Sequence, residues 1–243
     1  MTATVTRIAM RFSSAFISLL AAALAACVLM TAGPALAAEP DQKGKIDVEL
    51  LKALADKGDR RAARTLAEAY YAGRGGVEPD PAQAAHWFEV LAKQGDVYSQ
   101  TTLGLMYARG MGVAKNQQTA IRWWTLAAIG KDEGAQFNLA QAYATGDGVA
   151  QDYGRAIEWY TQAAQRGHLL AQHNLGMLYY DAPAGQRNLA RSYLWLKIAA
   201  LQGDELSQEQ LKKITPEVSA EDVRKGDLQA QEWMKGLQKS LKK

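Results

Sequence analysis

The chain has 243 residues, 48% of them hydrophobic and 22% charged, proportions that suit a soluble globular protein of one or two domains. Its formal charge of +3 shrinks to 26 basic against 25 acidic residues once residues 1–37, which hold Arg7 and Arg11 and no acid, are set aside. A balance that close gives no nucleic acid and no anionic membrane a field to bind to.

Residues 1–37 read as a secretory signal peptide: a basic start ending at Arg11, an apolar run over 12–30, and small residues closing at Ala35-Leu36-Ala37. That pattern predicts cleavage after Ala37 and an exported chain, periplasmic or secreted. A rival is the tetrad Leu24-Ala25-Ala26-Cys27, which resembles a bacterial lipobox, although apolar Val28, Leu29 and Met30 follow it. A membrane is expected as partner only if Cys27 is lipidated. Cys27 is also the only cysteine, so packing alone must hold the folded part in an oxidising compartment. Nothing after residue 37 approaches the roughly 18 continuous apolar residues that a span needs.

Residues 38–45 are polar and turn-rich and read as a flexible lead-in. Residues 46–58 follow as an N-terminal capping helix, with Leu50, Leu51, Leu54 and Ala55 on one face and Gly58 as its stop. From residue 59 the chain repeats itself. Trp87, Trp123, Trp159 and Trp195 stand 36 residues apart, and so do Ala92, Ala128, Ala164 and Ala200, and Asp80, Asn116, Asp152 and Asn188. Leu103, Leu139, Leu175 and Leu211 keep that step. Leu66 precedes Leu103 by 37 because the turn Gly73-Arg74-Gly75-Gly76 is one residue longer than those at Gly110 to Gly112 and Gly146 to Gly148.

A period of this length marks a solenoid of stacked supersecondary units. Four helix pairs, at about 59–95, 96–131, 132–167 and 168–203, each carry a leucine-centred first helix, a glycine turn, an Asp or Asn cap and a tryptophan-bearing second helix. The comb predicts each tryptophan, Trp159 above all, as a buried wedge. Gly104 and Gly176 sit inside first helices, where glycine costs about 1 kcal/mol against alanine, so a neighbour must approach closely there. Two places depart from the pattern: Lys131 stands where an end glycine is expected, and the fourth turn, Asp181-Ala182-Pro183-Ala184-Gly185, has lost its Gly-x-Gly. Residues 204–243 supply a half repeat around Ser207, Gln208 and Leu211, then a capping helix from about 217 to 240 whose apolar side is Val218, Val223, Leu228, Trp233 and Leu237.

The third unit shows the pattern in full in Ala135, Leu139, Tyr143, Gly146, Gly148, Val149, Asp152, Ala156, Trp159, Tyr160, Ala163 and Ala164. It resembles the Sel-one-like repeat, a relative of the tetratricopeptide repeat, over about 59–204. The resemblance implies an all-α fold, a TPR-like right-handed α-solenoid of stacked antiparallel helix pairs, and an adaptor or scaffold role. Exported bacterial members act on periplasmic or envelope partners. A cysteine-rich branch has been credited with β-lactam hydrolysis, but this chain has none of its cysteines.

Catalytic chemistry finds no foothold. Gly73-Arg74-Gly75-Gly76 resembles a phosphate loop but lacks the preceding strand and the Lys-Ser/Thr pair, and left-handed turns explain all three glycine clusters. His168 and His173 are five apart and cannot share a helical face as metal ligands; His86 stands alone. Asp147 and Asp152 flank one turn only, which argues against calcium. No serine lies in G-x-S-x-G. No catalytic residue, metal or cofactor is therefore expected.

The remaining candidate is a surface. Residues two before, two after and five after each repeat leucine point away from it. They are Arg64, Glu68 and Tyr71; Thr101, Leu105 and Ala108; Phe137, Gln141 and Ala144; and His173, Met177 and Tyr180. In tetratricopeptide-like superhelices this side lines the concave groove, and the stripe is more apolar than a solvated face requires. The expectation is a non-enzymatic adaptor that binds a protein or peptide there. The alternatives are contact of this side with the next unit and, for function, an envelope hydrolase acting on peptidoglycan or β-lactams.

Overall fold

The computed structural model describes residues 45–183 and 185–240; the cleavage site and Cys27 lie outside the described residues. Among the described residues there are eleven α-helices and no strand: α1 (Val48–Asp56), α2 (Arg60–Ala72), α3 (Pro81–Lys93), α4 (Val97–Arg109), α5 (Gln117–Ile129), α6 (Glu133–Thr145), α7 (Tyr153–Gln165), α8 (Leu169–Asp181), α9 (Leu189–Leu201), α10 (Glu205–Ile214) and α11 (Ala220–Ser240). Each helix from α1 to α9 packs on its successor in the chain, and α11 packs back on α9. The result is an all-α solenoid of antiparallel helix pairs, α2/α3, α4/α5, α6/α7 and α8/α9, with α1 at one end and α10 and α11 at the other. None of the described helices is long and apolar enough to cross a membrane.

The helices start where side chains can satisfy their first amides. Asp80, Asn116, Asp152 and Asn188 cap the second helices, and Asp59, Asp96, Asp132, His168 and Asp204 cap the first helices and α10. The loop within each pair closes through one recurring bond, from the amide of the second-helix cap to the carbonyl of the repeat tyrosine: Asp80 to Tyr70, Asn116 to Tyr107, Asp152 to Tyr143 and Asn188 to Tyr179, all at 2.8–2.9 Å. The fourth unit keeps that bond although its turn has lost the Gly-x-Gly. Lys131, too, holds the geometry of the glycines it replaces, with φ 68°, and its amide reaches Ala128 O at 3.0 Å as Gly95 reaches Ala92.

The tryptophan comb does not mark the deepest positions. Trp87 is buried, but Trp123, Trp159 and Trp195 are half-buried. The next residue in each second helix is the one sealed in, at 1% exposure for Phe88, 4% for Trp124, 3% for Tyr160 and 0% for Leu196. The reason lies in how second helices stack. Trp159 touches both the apolar cluster of Ala120, Trp124 and Leu139 and that of Tyr160, Ala163 and Leu175, so it bridges two units from their flank. Gly104 meets the expected neighbour: a methyl there would lie 2.5 Å from Trp124 Cδ1, and one at Gly176 would lie 2.6 Å from Leu196 Cγ.

Two end helices differ from expectation. In α1 Ala55 is buried and Leu51 half-buried, but Leu50 and Leu54 face outward. In α11 the contact side is Val223, Gly226 and Ala230, because Gly226 admits the Tyr193 ring of α9. Leu228, 200° further round from Gly226 at 100° per residue, is 63% exposed. Glu217 belongs to a preceding 3-10 turn, Thr215–Glu217, and Ser219 caps the helix proper by accepting from Asp222 N at 3.1 Å.

Candidate binding groove

The first of the three surface positions in each unit is occupied by the next unit. Arg64 pairs with Asp96, Thr101 Oγ1 donates to Asp132 Oδ1 at 3.0 Å, and His173 Nδ1 lies 3.2 Å from Asp204 Oδ2. In every case the acceptor is the N-cap of the following first helix or α10. The third junction keeps the place and changes the chemistry. Phe137 stacks on the cap residue His168, with ring centroids 4.8 Å apart, and tilts against Tyr160 at 5.7 Å. Phe137 is only 7% exposed, so it belongs to the core between units and is not open groove.

Electrostatics follow this ladder. Burial holds His168 below its ordinary pKa, so the ring is neutral and Nδ1 is free to accept from Ala171 N at 3.2 Å. Burial pushes Asp204 up, but hydrogen bonds from His173 and Ser207 outweigh it and bring the carboxyl to about 2. The trio His173, Asp204 and Ser207 has the composition of a hydrolytic triad without its geometry. Both partners approach the same ring nitrogen, Nδ1, and Ser207 is fully buried, whereas a relay needs one nitrogen for each partner and an accessible hydroxyl.

The second position remains available. Glu68, Leu105, Gln141 and Met177 fall on successive first helices at one repeat position, and each is half-buried. Leu105 and Met177 rest on the apolar clusters beneath them. Of the third position, Ala108 and Ala144 are half-buried, and Tyr71 meets Phe88 edge-on at 5.8 Å. Tyr180 is engaged from below: its hydroxyl donates to Glu217 Oε1 at 2.7 Å, and Arg187 lies over its ring while bonding Glu217 Oε2 at 2.7 Å. Chemically the line offers a largely uncharged, half-apolar track with a carboxylate at its N-terminal end. Among the described residues no three or more His, Cys, Asp or Glu converge as a metal ion would require.

A second comb holds the first helices in place. Gln100, Gln136, Gln172 and Gln208 each donate from Nε2 to a carbonyl at the end of the preceding second helix, Ala92, Ala128, Ala164 and Ala200, at 3.1–3.4 Å. The 36-residue spacing of these glutamines could have revealed them, but a repeated polar residue reads as surface.

The family model of the Sel1 repeat matches residues 61–96, 97–132, 134–168 and 169–204, four consecutive copies in register with these helix pairs. The chain belongs to the Sel1 repeat family. Sel1 repeat proteins generally mediate protein–protein interaction and are typically non-catalytic scaffolds. The solved structures similar to this Sel1 repeat protein include the following two. One is a protective antigen present in uropathogenic Escherichia coli strains and displaying an SLR fold, with a TM-score of 0.67 and 29% identity over 77% of this chain and 40% of that one. The other is a Sel1 repeat protein from Oxalobacter formigenes, with a TM-score of 0.60 and 26% identity over 67% and 68%. The chain thus spans 40% of the length of the antigen. No curated protein matches it.

Proposed function

We propose that this Sel1 repeat protein is an exported, non-enzymatic adaptor that holds a peptide segment or protein domain along the concave side of its first helices. The observation that carries this reading is the line Glu68, Leu105, Gln141 and Met177, one half-buried residue per unit, set on helices that the cap contacts and the glutamine bonds fix in place. A ligand crossing the units meets a rigid track, and little ordering cost falls on the protein. The leader ending at Ala35-Leu36-Ala37 supports export.

A photo-crosslinking residue introduced at Leu105 or Gln141 tests the groove in envelope extracts, with Glu158 on the second-helix face as control. Adducts at 105 and 141 that disappear in the Leu105→Glu/Met177→Glu protein are the expected result, because a ligand apolar group would then meet an unpaired carboxylate. Adducts at 158 alone would move the interface to the other face. Intact-mass measurement of the exported protein tests the leader: a chain beginning at Ala38 is expected, and an acylated Cys27 terminus would replace soluble export by lipid anchoring.

A further inference from the structure

One seam of the groove carries side chains that the repeat does not require. Glu68 and Tyr71 lie three residues apart on one face of α2, and Tyr98 stands near them on α4. Both tyrosines meet the same ring edge-on: Tyr71 is 5.8 Å and Tyr98 6.1 Å from Phe88, centroid to centroid. Phe88 is sealed at 1% exposure and forms a floor, whereas Tyr98 is 51% exposed. Burial raises the pKa of the Tyr98 phenol, and the charges of Glu68 and Tyr71 add to that rise, so the three groups share one neighbourhood. Stacking does not depend on them. One and two units later the same places hold Leu105, Ala108 and Gly134, then Gln141, Ala144 and Leu170, and those units pack all the same.

The charges around this seam leave one carboxylate unanswered. Arg64, one turn before Glu68, is engaged by Asp96, and Arg60 lies 3.8 Å from the same aspartate. Arg61 is seven residues from Glu68, about 10 Å along the helix axis, and it is exposed, so water and salt screen it. Glu68 is half-buried and has no ion pair or hydrogen bond among the described residues. A carboxylate held beside electron-rich rings matches neither an anion nor a bare apolar group. A cation suits both the charge and the rings.

We propose that this seam is a subsite for a basic side chain, lysine or arginine, of the segment that the groove holds. Its ammonium or guanidinium meets the Glu68 carboxylate and the Tyr71 and Tyr98 rings, and the rest of the segment continues over Leu105 toward Gln141 and Met177. Leu105 lies seven residues after Tyr98, on the same face of α4, so the path from subsite to track is unbroken. The assignment rests on the groove reading and adds to it the ligand's charge and register: the basic residue sits at the end of the track nearest α1.

A random peptide library displayed on phage and selected on the purified chain tests the subsite. Enriched peptides should share one lysine or arginine at a fixed position. Selection on Glu68→Gln should lose that preference, and selection on Glu68→Lys should replace it by an acid. The best peptide, made synthetically with a fluorophore, is then compared with a copy carrying norleucine at the basic position. That exchange should weaken binding to the wild type about tenfold or more, and to Glu68→Gln less than about twofold. The wild-type comparison does not depend on any variant folding. Peptides that need Leu105 and Met177 but show no basic preference, or keep it on Glu68→Gln, would overturn the subsite and leave the groove standing. Peptides indifferent to Leu105→Glu/Met177→Glu, or no enrichment at all, would overturn both. A carbodiimide crosslink from Glu68 to a lysine of the same chain would overturn the subsite by giving its carboxylate an occupant from within.

Discussion

Phe137 lies flat on His168, their planes 19° apart, at the one junction among four where an aromatic pair replaces a contact to an aspartate cap. The two substitutions explain each other. An aspartate at 168 would set a charge against the Phe137 ring, and a polar residue at 137 would leave the neutral imidazole without its apolar neighbour.

That pair makes one junction sensitive to acid. Unfolded, His168 protonates near 6.5; folded, burial holds it lower, and protonation would also remove the Nδ1 acceptor and place a cation at a helix N-terminus. Between the two values the unfolded state binds more protons. This contribution to stability is therefore complete above about 6.5 and declines as pH falls toward the lowered folded value. His168→Asn keeps a cap that does not titrate. Urea melts at about pH 7 and about pH 5 should show a larger loss for the wild type than for His168→Asn. Parallel losses would place the acid sensitivity elsewhere.

The order of burial in the second helices predicts an order of energies. Tyr160→Ala should cost about 3–5 kcal/mol, since it empties a sealed site and strands Asn174, which donates to the phenol oxygen at 3.3 Å. Trp159→Ala removes a half-buried ring and should cost about half as much. Chemical denaturation of both variants decides it. A greater loss at 159 would restore the tryptophan comb as the core.

Gly104→Ala would improve helix propensity by about 1 kcal/mol and yet should destabilise by about 1–2 kcal/mol net. The added methyl meets the rigid Trp124 indole, whose Nε1 also donates to Thr101 O at 3.3 Å. A thermal melt with raised Tm would mean that the two helices can separate at little cost.

Lys131→Gly should stabilise by about 0.5–1 kcal/mol. The left-handed conformation that Lys131 holds at φ 68° strains any L side chain, and that relief exceeds the extra chain entropy of glycine. Lys131 is exposed, so no packing is lost. A rise in the denaturation midpoint at constant slope is the expected reading, and no change would show that the turn carries no strain.

The periodic landmarks of the fold were legible because a solenoid repeats its neighbours as well as its residues. Where neighbours change, identical letters mean different things. Leu54 and Leu91 are both leucines on the apolar side of a second helix, yet Leu54 is 37% exposed and Leu91 is sealed against α2. Helix geometry placed Phe137 on the groove side correctly, but direction alone does not say whether the next unit reaches that far. The break at His168 in an otherwise acidic series of caps was the available sign. Gly226 similarly decided which side of α11 faces inward, through a contact with Tyr193 distant in sequence.

The glutamine comb has a consequence for how such a chain can change in length. Each of Gln100, Gln136, Gln172 and Gln208 closes the seam behind it with the same bond, so a seam between any two units is already compatible with its neighbours. Duplicating residues 97–132 would create a joint the molecule has made before, and unequal recombination could add a unit without inventing an interface. The exception is the seam at His168. A crossover falling between residues 137 and 168 would separate a ring from the only kind of cap that suits it, so growth of this solenoid is expected to spare that interval.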